Sequence, residues 1–361
     1  MIVGGLAAMF CLTGALQAQR RPYFVLFQQE HFFGPVPSPR SEAMASADVA
    51  IGGAATSVWY NPAGIGTVAD WSADLTTAGP FYVLRASDYA FAGFARRLHP
   101  KLTAALSLNR LAVGPTSFQI DIDGQDFEMD APTVNDLIAT VAATPLPGLH
   151  LGVNAHFFTF RPFDDVRASR TFYADAGALY VRRLPDRSEL RLGASLVNFT
   201  YADLTLRSPI GTEASNVFPV IGRAGVAYER SLALSVPGAG SQPLRMLLTA
   251  EYQDLLNSPY RTTLRFGSEW VLAEVLALRL GFFTQSANDF GIANNRSRVN
   301  DATYGFGIHI PVSRISGGKW PVHAQLDYYA LESPPQIFSG SRQPNKRGFG
   351  LRIVADLPSH P

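Results

Sequence analysis

Apolar and polar side chains alternate along most of the chain after residue 70. Between residues 260 and 271, for example, Leu264 and Phe266 fall on one face of an extended segment, whereas Arg265 and Glu269 fall on the other. Successive side chains of a β-strand point to opposite faces, so this period of two predicts strands. We therefore predict an all-β fold.

The alternating segments are long, at about ten to fourteen residues each. Crossing a bilayer takes about nine to eleven tilted residues, whereas ordinary strands average about five to six. A soluble sandwich also alternates, but these lengths favour a transmembrane antiparallel β-barrel of about fourteen strands. The predicted strands cover residues 71–84, 88–97, 101–112, 132–144, 149–161, 170–183, 188–199, 218–231, 243–254, 260–272, 274–286, 302–312, 320–330 and 346–357.

The connections between these strands alternate in length, as in outer-membrane barrels, where short periplasmic turns oppose long outer loops. The short turns are residues 99–100, 145–148, 185–187 and 273–274. The long connections, which all fall at the opposite end, are residues 113–131, 199–217, 287–301 and 331–345. This arrangement predicts a bacterial outer-membrane protein with periplasmic N- and C-termini.

The composition and the absence of known motifs exclude several classes of function. Charged residues make up 16% of the 361 residues, below the roughly 25% typical of soluble domains. The net charge of +1 gives no basic stripe for nucleic acid, so no nucleic-acid partner is predicted. No nucleophile elbow, P-loop or Cys-x-x-Cys motif occurs, and we predict no catalytic residue, enzyme activity or cofactor. His150 and His156 share a strand face but have no acidic neighbour in sequence, so no metal site is predicted.

The chain begins with an apolar segment, residues 1–18, that ends in small residues. Such a segment is typical of a secretory signal peptide, with the mature chain beginning near Gln19. The single cysteine, Cys11, falls inside this segment. The mature chain is therefore predicted to be exported and to have no disulfide framework.

Residues 46–65 lead from small residues and glycines into an aromatic pair and an Asn-Pro turn, in the order SADVAIGGAATSVWYNPAGI. The proline fixes φ, and the asparagine side chain can cap the turn that it starts. This Gly-Gly-Ala run followed by Tyr-Asn-Pro-Ala resembles the N-terminal signature of the FadL-like and PorV/PorQ-like outer-membrane β-barrel proteins. In those proteins the signature precedes the first barrel strand.

The resemblance implies an N-terminal hatch. A barrel of about eight strands is filled by its own side chains, whereas sixteen to eighteen strands enclose a water channel, so fourteen strands leave a lumen that needs a plug. We predict that residues 19–70 form this plug or hatch segment and that residues 71–361 form the barrel. The alternative is a packed turn without a gating role. The predicted hatch residues are Gly52, Gly53, Trp59, Tyr60, Asn61, Pro62, Ala63 and Gly64, and Gly52, Gly53, Gly64 and Gly66 are expected to let the plug pack closely against the wall.

Charges of both signs are predicted to face the lumen, and they have two interpretations. They form either a network of ion pairs that stiffens the wall or a polar path with a site for an anionic head group. A long apolar ligand also needs an apolar pocket. The predicted ligand-binding residues of the lumen are Phe158, Phe160, Arg261, Arg265, Glu269 and Phe283.

Two functions follow from the resemblance. The first is passive uptake of hydrophobic small molecules such as long-chain fatty acids, with outer-membrane lipid and a hydrophobic ligand as partners. The alternative is a component of a type IX protein secretion system, with secretion-system proteins as partners, or a structural barrel subunit of a larger outer-membrane complex.

Overall fold

The structure of the protein is a computed structural model. It describes residues 37–79, 87–114, 119–122, 125–128, 132–163, 166–186, 188–236, 240–256, 262–286, 298–331 and 346–355. The predicted signal peptide, the first part of the predicted plug segment and Arg261 lie outside the described residues.

Fourteen described strands pair antiparallel into one closed barrel, in which β1 pairs with both β2 and β18. The remaining four strands form two separate hairpins, β4 with β5 and β10 with β11. In chain order the described strands are β1 (Trp71–Ala78), β2 (Ser87–His99), β3 (Leu102–Val113), β4 (Gln119–Ile122), β5 (Gln125–Glu128), β6 (Thr133–Leu146), β7 (Leu149–Arg161), β8 (Ser169–Arg183), β9 (Ser188–Val197), β10 (Asp203–Arg207), β11 (Glu213–Val217), β12 (Ile221–Val236), β13 (Gly240–Leu255), β14 (Thr262–Leu272), β15 (Leu276–Ser286), β16 (Arg298–Ile310), β17 (Val322–Leu331) and β18 (Lys346–Ala355).

The predicted fold class, an all-β antiparallel barrel of fourteen strands, is confirmed. The strand ends differ from the predicted ends by a few residues, because alternation does not mark where pairing stops. The two hairpins were not predicted. Both lie inside connections that the sequence analysis treated as loops, at residues 113–131 and 199–217.

The strand directions put the short turns at one end of the barrel, which we call the turn end, and the long connections at the other, the loop end. The turn end includes the turn at residues 147–148 and the connection 311–321, which contains a short helix, α3 (Val312–Ile315). The predicted separation of short turns from long loops is therefore confirmed.

The outer surface of the barrel carries large apolar side chains, as a bilayer requires. The exposed fraction of the side chain is 62% for Leu280, 48% for Phe266 and 44% for Leu192, and each alternates with a residue that faces the lumen. None of the helices in the described ranges is long and apolar enough to cross a membrane.

Residues 37–70, which we call the plug, lie inside the lumen. They form a short helix α1 (Pro39–Glu42), a second short helix α2 (Ser57–Tyr60) and a 3-10 helix (Pro62–Thr67). Nearly all of their side chains are buried. The chain leaves the plug directly into β1, so the lumen of this barrel is filled by the segment that precedes its first strand.

The plug touches the wall at three pairs of glycines that lie opposite each other on neighbouring strands. We call these the glycine pairs, and they are Gly152 with Gly177, Gly193 with Gly225, and Gly267 with Gly281. A Cβ atom at Gly193 would lie 2.1 Å from the Val49 carbonyl oxygen, and one at Gly281 would lie 2.3 Å from the Ala45 nitrogen. Real Cβ atoms do not approach this closely, so any side chain at these positions would displace the plug.

Of the four plug glycines predicted to approach the wall, Gly66 does so, against His150. Gly52 and Gly64 instead lie against each other within the plug, and Gly53, at a φ of +87°, lies near Thr67. The expectation was therefore wrong for three of them. The closest approaches between plug and wall occur instead at glycines of the wall.

We expect Gly193→Ala to destabilise the protein, because its methyl group would overlap the backbone at Val49. Overpacking of this kind typically costs about 1–3 kcal/mol. The measurement is the free energy of unfolding in urea, in detergent micelles. Gly222→Ala is the matched control, since a Cβ there lies 3.4 Å from its nearest neighbour, an ordinary contact. Equal losses in the two variants would contradict the prediction.

Candidate functional site in the plugged lumen

The lumen has an apolar layer at the loop end, above the plug. We call it the loop-end layer; its buried members include Tyr89, Phe91, Leu111, Val134, Phe158, Phe160, Phe163, Tyr173, Leu204, Leu206, Phe218 and Tyr329. Ring centroids of Phe158 and Phe218 lie 5.0 Å apart, edge to face, and those of Tyr173 and Phe218 lie 4.8 Å apart. The layer is thus a packed aromatic cluster inside a barrel, where porins have polar side chains.

The structure brings together two of the three phenylalanines predicted to line an apolar site. Phe158 and Phe160 are buried neighbours in the loop-end layer. Phe283 is also fully buried, on β15, where it lies opposite Arg265 of β14. The hairpin β10–β11, which lies in a predicted loop, supplies Leu204 and Leu206 to the same layer.

The predicted Asn-Pro turn forms as expected. The Asn61 side chain accepts a hydrogen bond from the backbone of Ala63 at 3.1 Å and so caps the 3-10 helix, while Pro62 occupies its first position. The Asn61 amide also donates to the Val49 carbonyl at 2.7 Å and to the Ala178 carbonyl of β8 at 3.0 Å. One side chain therefore fixes the turn, joins two parts of the plug and ties the plug to the wall.

Other predicted hatch residues are held by the wall as well. The Ser195 hydroxyl donates to the Tyr60 carbonyl at 2.8 Å. The Arg223 guanidinium lies 5.9 Å from the centre of the Tyr60 ring and donates to the Trp59 carbonyl at 3.5 Å. A cation over an aromatic face is attracted by its π-electrons, so Arg223 contacts this aromatic pair in two ways.

A chain of buried ion pairs links the plug to three strands. Arg40 of the plug forms two parallel hydrogen bonds of 2.8 Å to the Glu269 carboxylate. Glu269 also accepts from Arg279 at 2.6 Å, and Arg279 donates to Asp327 at 2.7 Å. The predicted network of lumenal ion pairs is therefore present, and Glu269, predicted as a ligand contact, binds the plug in this structure.

Arg265, the other described charge predicted to bind ligand, is engaged in a similar way. It donates to Gln253 at 2.9 Å and to Glu251 at 3.3 Å. Glu251 in turn accepts the backbone N–H groups of Asp48 and Val49, each at 2.9 Å. Arg265 thus positions a carboxylate that holds the plug backbone.

A histidine lies between two carboxylates near the loop-end layer. His156 Nδ1 is 2.9 Å from an Asp136 oxygen, His156 Nε2 is 2.8 Å from an Asp175 oxygen, and its ring stacks on Tyr173 at 4.1 Å. The sequence showed no acidic neighbour because Asp136 and Asp175 come from the two flanking strands. Within the described ranges, no group of three or more His, Cys, Asp or Glu side chains could hold a metal ion.

One carboxyl of the plug is held in a poorly solvated position. Asp48 is buried, and its carboxylate accepts a hydrogen bond from the Ser41 hydroxyl. Burial raises the pKa of Asp48 from 3.8 to about 6, although Arg40 and Ser41 oppose the rise. Burial therefore disfavours the charged form of Asp48 relative to that of an exposed aspartate.

We expect Glu269→Gln to loosen the plug, because it leaves Arg40 buried without its carboxylate. Removing one partner of a buried ion pair typically costs about 3–5 kcal/mol. Limited trypsin digestion of the folded protein should then cut after Arg40 at least about tenfold faster than in the wild type. The control is Glu213→Gln, which removes an exposed partner of Arg207. An unchanged cleavage rate would show that the pair does not hold the plug.

The pKa of Asp48 predicts a stability that depends on pH. Because the folded pKa exceeds the unfolded value of 3.8, the folded form is favoured at low pH and loses stability as the pH rises through about 6. The titration of Asp48 lowers the free energy of unfolding by at most about 3 kcal/mol over this pH range. Urea unfolding at pH 4.5 and 7.5 should show this decline in the wild type but not in Asp48→Asn. The same decline in both proteins would assign it to other groups.

Comparison with known proteins adds information about the fold. No protein-family model matches this sequence, and no curated protein matches it. A FadL homologue from Pseudomonas aeruginosa shares 10% identity, with 89% of this chain and 98% of that one covered and a TM-score of 0.51. The P. putida toluene transporter TodX shares 11% identity, over 90% and 99% of the two chains, at a TM-score of 0.47. The Ralstonia pickettii toluene transporter TbuX shares 11% identity, over 89% and 98%, at a TM-score of 0.45.

At such low identity, the likeness to the FadL homologue bears on the fold and not on the ligand. The match to the FadL homologue covers 89% of this chain and 98% of that one. The FadL-like part of the predicted resemblance is thereby confirmed at the level of the fold, and the chain has the fold of a FadL homologue.

Proposed function

We propose that this protein is an outer-membrane channel for the passive uptake of hydrophobic small molecules, with the plug as its hatch. The observation that carries the proposal is the loop-end layer, an aromatic cluster at the end of the lumen where the long loops lie. With both termini periplasmic, as predicted, this end faces the outside. The layer would then be the first part of the lumen that an incoming molecule meets.

The chemistry of the layer suits an apolar ligand. Removing apolar surface from water contributes roughly 25 cal/mol of favourable binding free energy per Å². Aromatic side chains offer a large apolar surface for such contact. Buried phenylalanines in the lumen would not contribute to the binding of polar solutes in a water-filled channel. Long-chain fatty acids are the ligand class that the resemblance of residues 46–65 implies.

The contacts of the plug support a hatch. The plug is joined to the wall by hydrogen bonds and ion pairs through Asn61, Arg40 and the backbone of Val49, each of which can be exchanged for water or ligand. Its closest contacts with the wall, at the glycine pairs, are made by plug backbone and by short side chains such as those of Asn61 and Val49, against positions where the wall has no side chain. We propose that a ligand leaves the loop-end layer when the region of Asn61, Pro62 and Ala63 shifts, while Arg265, Glu269 and Phe283 remain predicted ligand contacts.

The test is uptake of a labelled long-chain fatty acid by a deletion strain that carries the wild type or Phe158→Ser. The serine hydroxyl replaces an apolar ring that is buried in the loop-end layer. Because burying a phenylalanine side chain contributes roughly 1.5–3 kcal/mol, we expect uptake to fall about tenfold or more.

Phe157→Ser is the matched control, since Phe157 is the neighbouring residue on the lipid-facing surface, 49% exposed. It should leave uptake nearly unchanged at equal amounts of folded barrel. Normal uptake in the deletion strain, together with lost secretion of a reporter protein, would refute the channel and favour the secretion alternative.

A further inference from the structure

The outer wall of the barrel carries a group of arginines near its loop end, on the neighbouring strands β3, β6, β7 and β8. Arg110 of β3 lies opposite Asn135 of β6. Thr159 of β7 lies opposite both Asn135 and Arg170 of β8. These residues form one row across the wall, with an arginine at each end. Arg161 lies two residues beyond Thr159, towards the loop end.

The arginine side chains point away from the lumen. Asn109 and Ser169, which precede Arg110 and Arg170 on their strands, are buried on the lumenal face. Arg110, Arg161 and Arg170 are exposed, as expected of the opposite face of a strand. The three arginines therefore lie on the surface that faces the bilayer.

A row of large apolar side chains lies beside the arginines, two residues closer to the turn end on each strand. Its members are exposed and lie opposite one another across the strands: Leu108, Leu137, Phe157 and Phe172. Two residues along a strand span about 7 Å. The wall thus changes from apolar to cationic over the distance that separates acyl chains from lipid head groups. Arginines at such a boundary keep their stems in the apolar region and their charges among the head groups.

Two of the arginines lie close together. Arg161 and Arg170 are on neighbouring strands and are diagonal neighbours, because the residue opposite Arg170 is Thr159. Such neighbours lie about 7–8 Å apart, within reach of long side chains. Within the described ranges, neither arginine takes part in an ion pair. Asp88 of β2, which is also exposed, is two strands further away, next to β3.

Two neighbouring cations without a carboxylate favour an anion between them, because like charges on one face of a sheet repel each other. A guanidinium group binds phosphate oxygens through two parallel hydrogen bonds, and basic side chains at a membrane surface attract anionic head groups. The adjacent apolar row adds contact for acyl chains. This combination selects a lipid that carries a phosphate over a free anion.

We propose that Arg161 and Arg170 bind the phosphate group of a membrane lipid whose acyl chains pack along Phe157 and Phe172, with Arg110 extending the cationic surface. This lipid site lies on the outer wall and goes beyond the proposed function, since it does not depend on what passes through the lumen. With both termini periplasmic, as predicted, the lipid would belong to the outer leaflet.

The test is binding of fluorescently labelled lipids to the purified full-length protein in neutral detergent. Lipid A, a diphosphorylated acylated disaccharide, represents the outer leaflet, and phosphatidylglycerol represents phospholipids. The double variant Arg161→Gln/Arg170→Gln should bind lipid A at least about tenfold more weakly, because charge-assisted hydrogen bonds to the phosphate are lost. A loss of phosphatidylglycerol binding alone would support the lipid site but assign its lipid to the phospholipids.

Arg96→Gln is the matched control. Arg96 is also exposed on the outer wall, but at the turn end, where it lies opposite Trp71 and Ala104 and not beside an arginine of either neighbouring strand. It should leave the affinity for lipid A unchanged. An equal loss in this variant and the double variant would show that any exposed cation binds the lipid, and it would overturn the proposed site.

Thermal unfolding separates loss of the lipid site from damage to the barrel. Without lipid, the double variant should unfold at a Tm no lower than that of the wild type, because two like charges have been removed. Saturating lipid A should raise the Tm of the wild type more than that of the variant. A lower Tm of the variant without lipid would overturn the proposal, since the arginines would then hold the wall itself. Unchanged affinity for lipid A would also overturn it, as would inorganic phosphate that binds as tightly as lipid A.

Discussion

The close contact between the plug backbone and the barrel wall is the constraint on which the rest of the structure depends. A fourteen-stranded barrel has a fixed circumference, so the space for residues 37–70 is set by the strands and cannot expand. At the glycine pairs the wall has no side chains, and the backbone and short side chains of the plug occupy that space. The plug thereby packs directly against the wall, and most of its apolar side chains are buried.

Buried peptide groups need hydrogen-bond partners, and this requirement explains the polar interior of the wall. Glu251 accepts two N–H groups of the plug, Asn61 donates to carbonyls of plug and wall, and Arg40 reaches Glu269. Buried ion pairs are weak evidence for stability but can specify position. Here they fix the plug at one height and rotation, while a mobile ligand or water could replace them one at a time.

The plug divides the lumen into two chemically different compartments. Towards the loop end, phenylalanines and tyrosines form the loop-end layer, and His156 beneath it satisfies two carboxylates so that neither charge reaches the apolar cluster unpaired. Towards the turn end, the lining of a cavity beside the plug includes several arginines, among them Arg97 and Arg245.

The sequence by itself determined the barrel, because a strand that faces lipid on one side and a polar lumen on the other must alternate, and the length of each segment must match the bilayer. It also determined the Asn61 cap, since the Asn-Pro pair is a local signal. Only the tertiary structure decided which partners meet across the lumen. The Asp136–His156–Asp175 cluster and the Arg40–Glu269 pair join residues far apart in sequence. The role of the mid-strand glycines is visible only where the plug contacts them. Contact between a plug and a barrel wall is a property of the assembled barrel and not of any one strand.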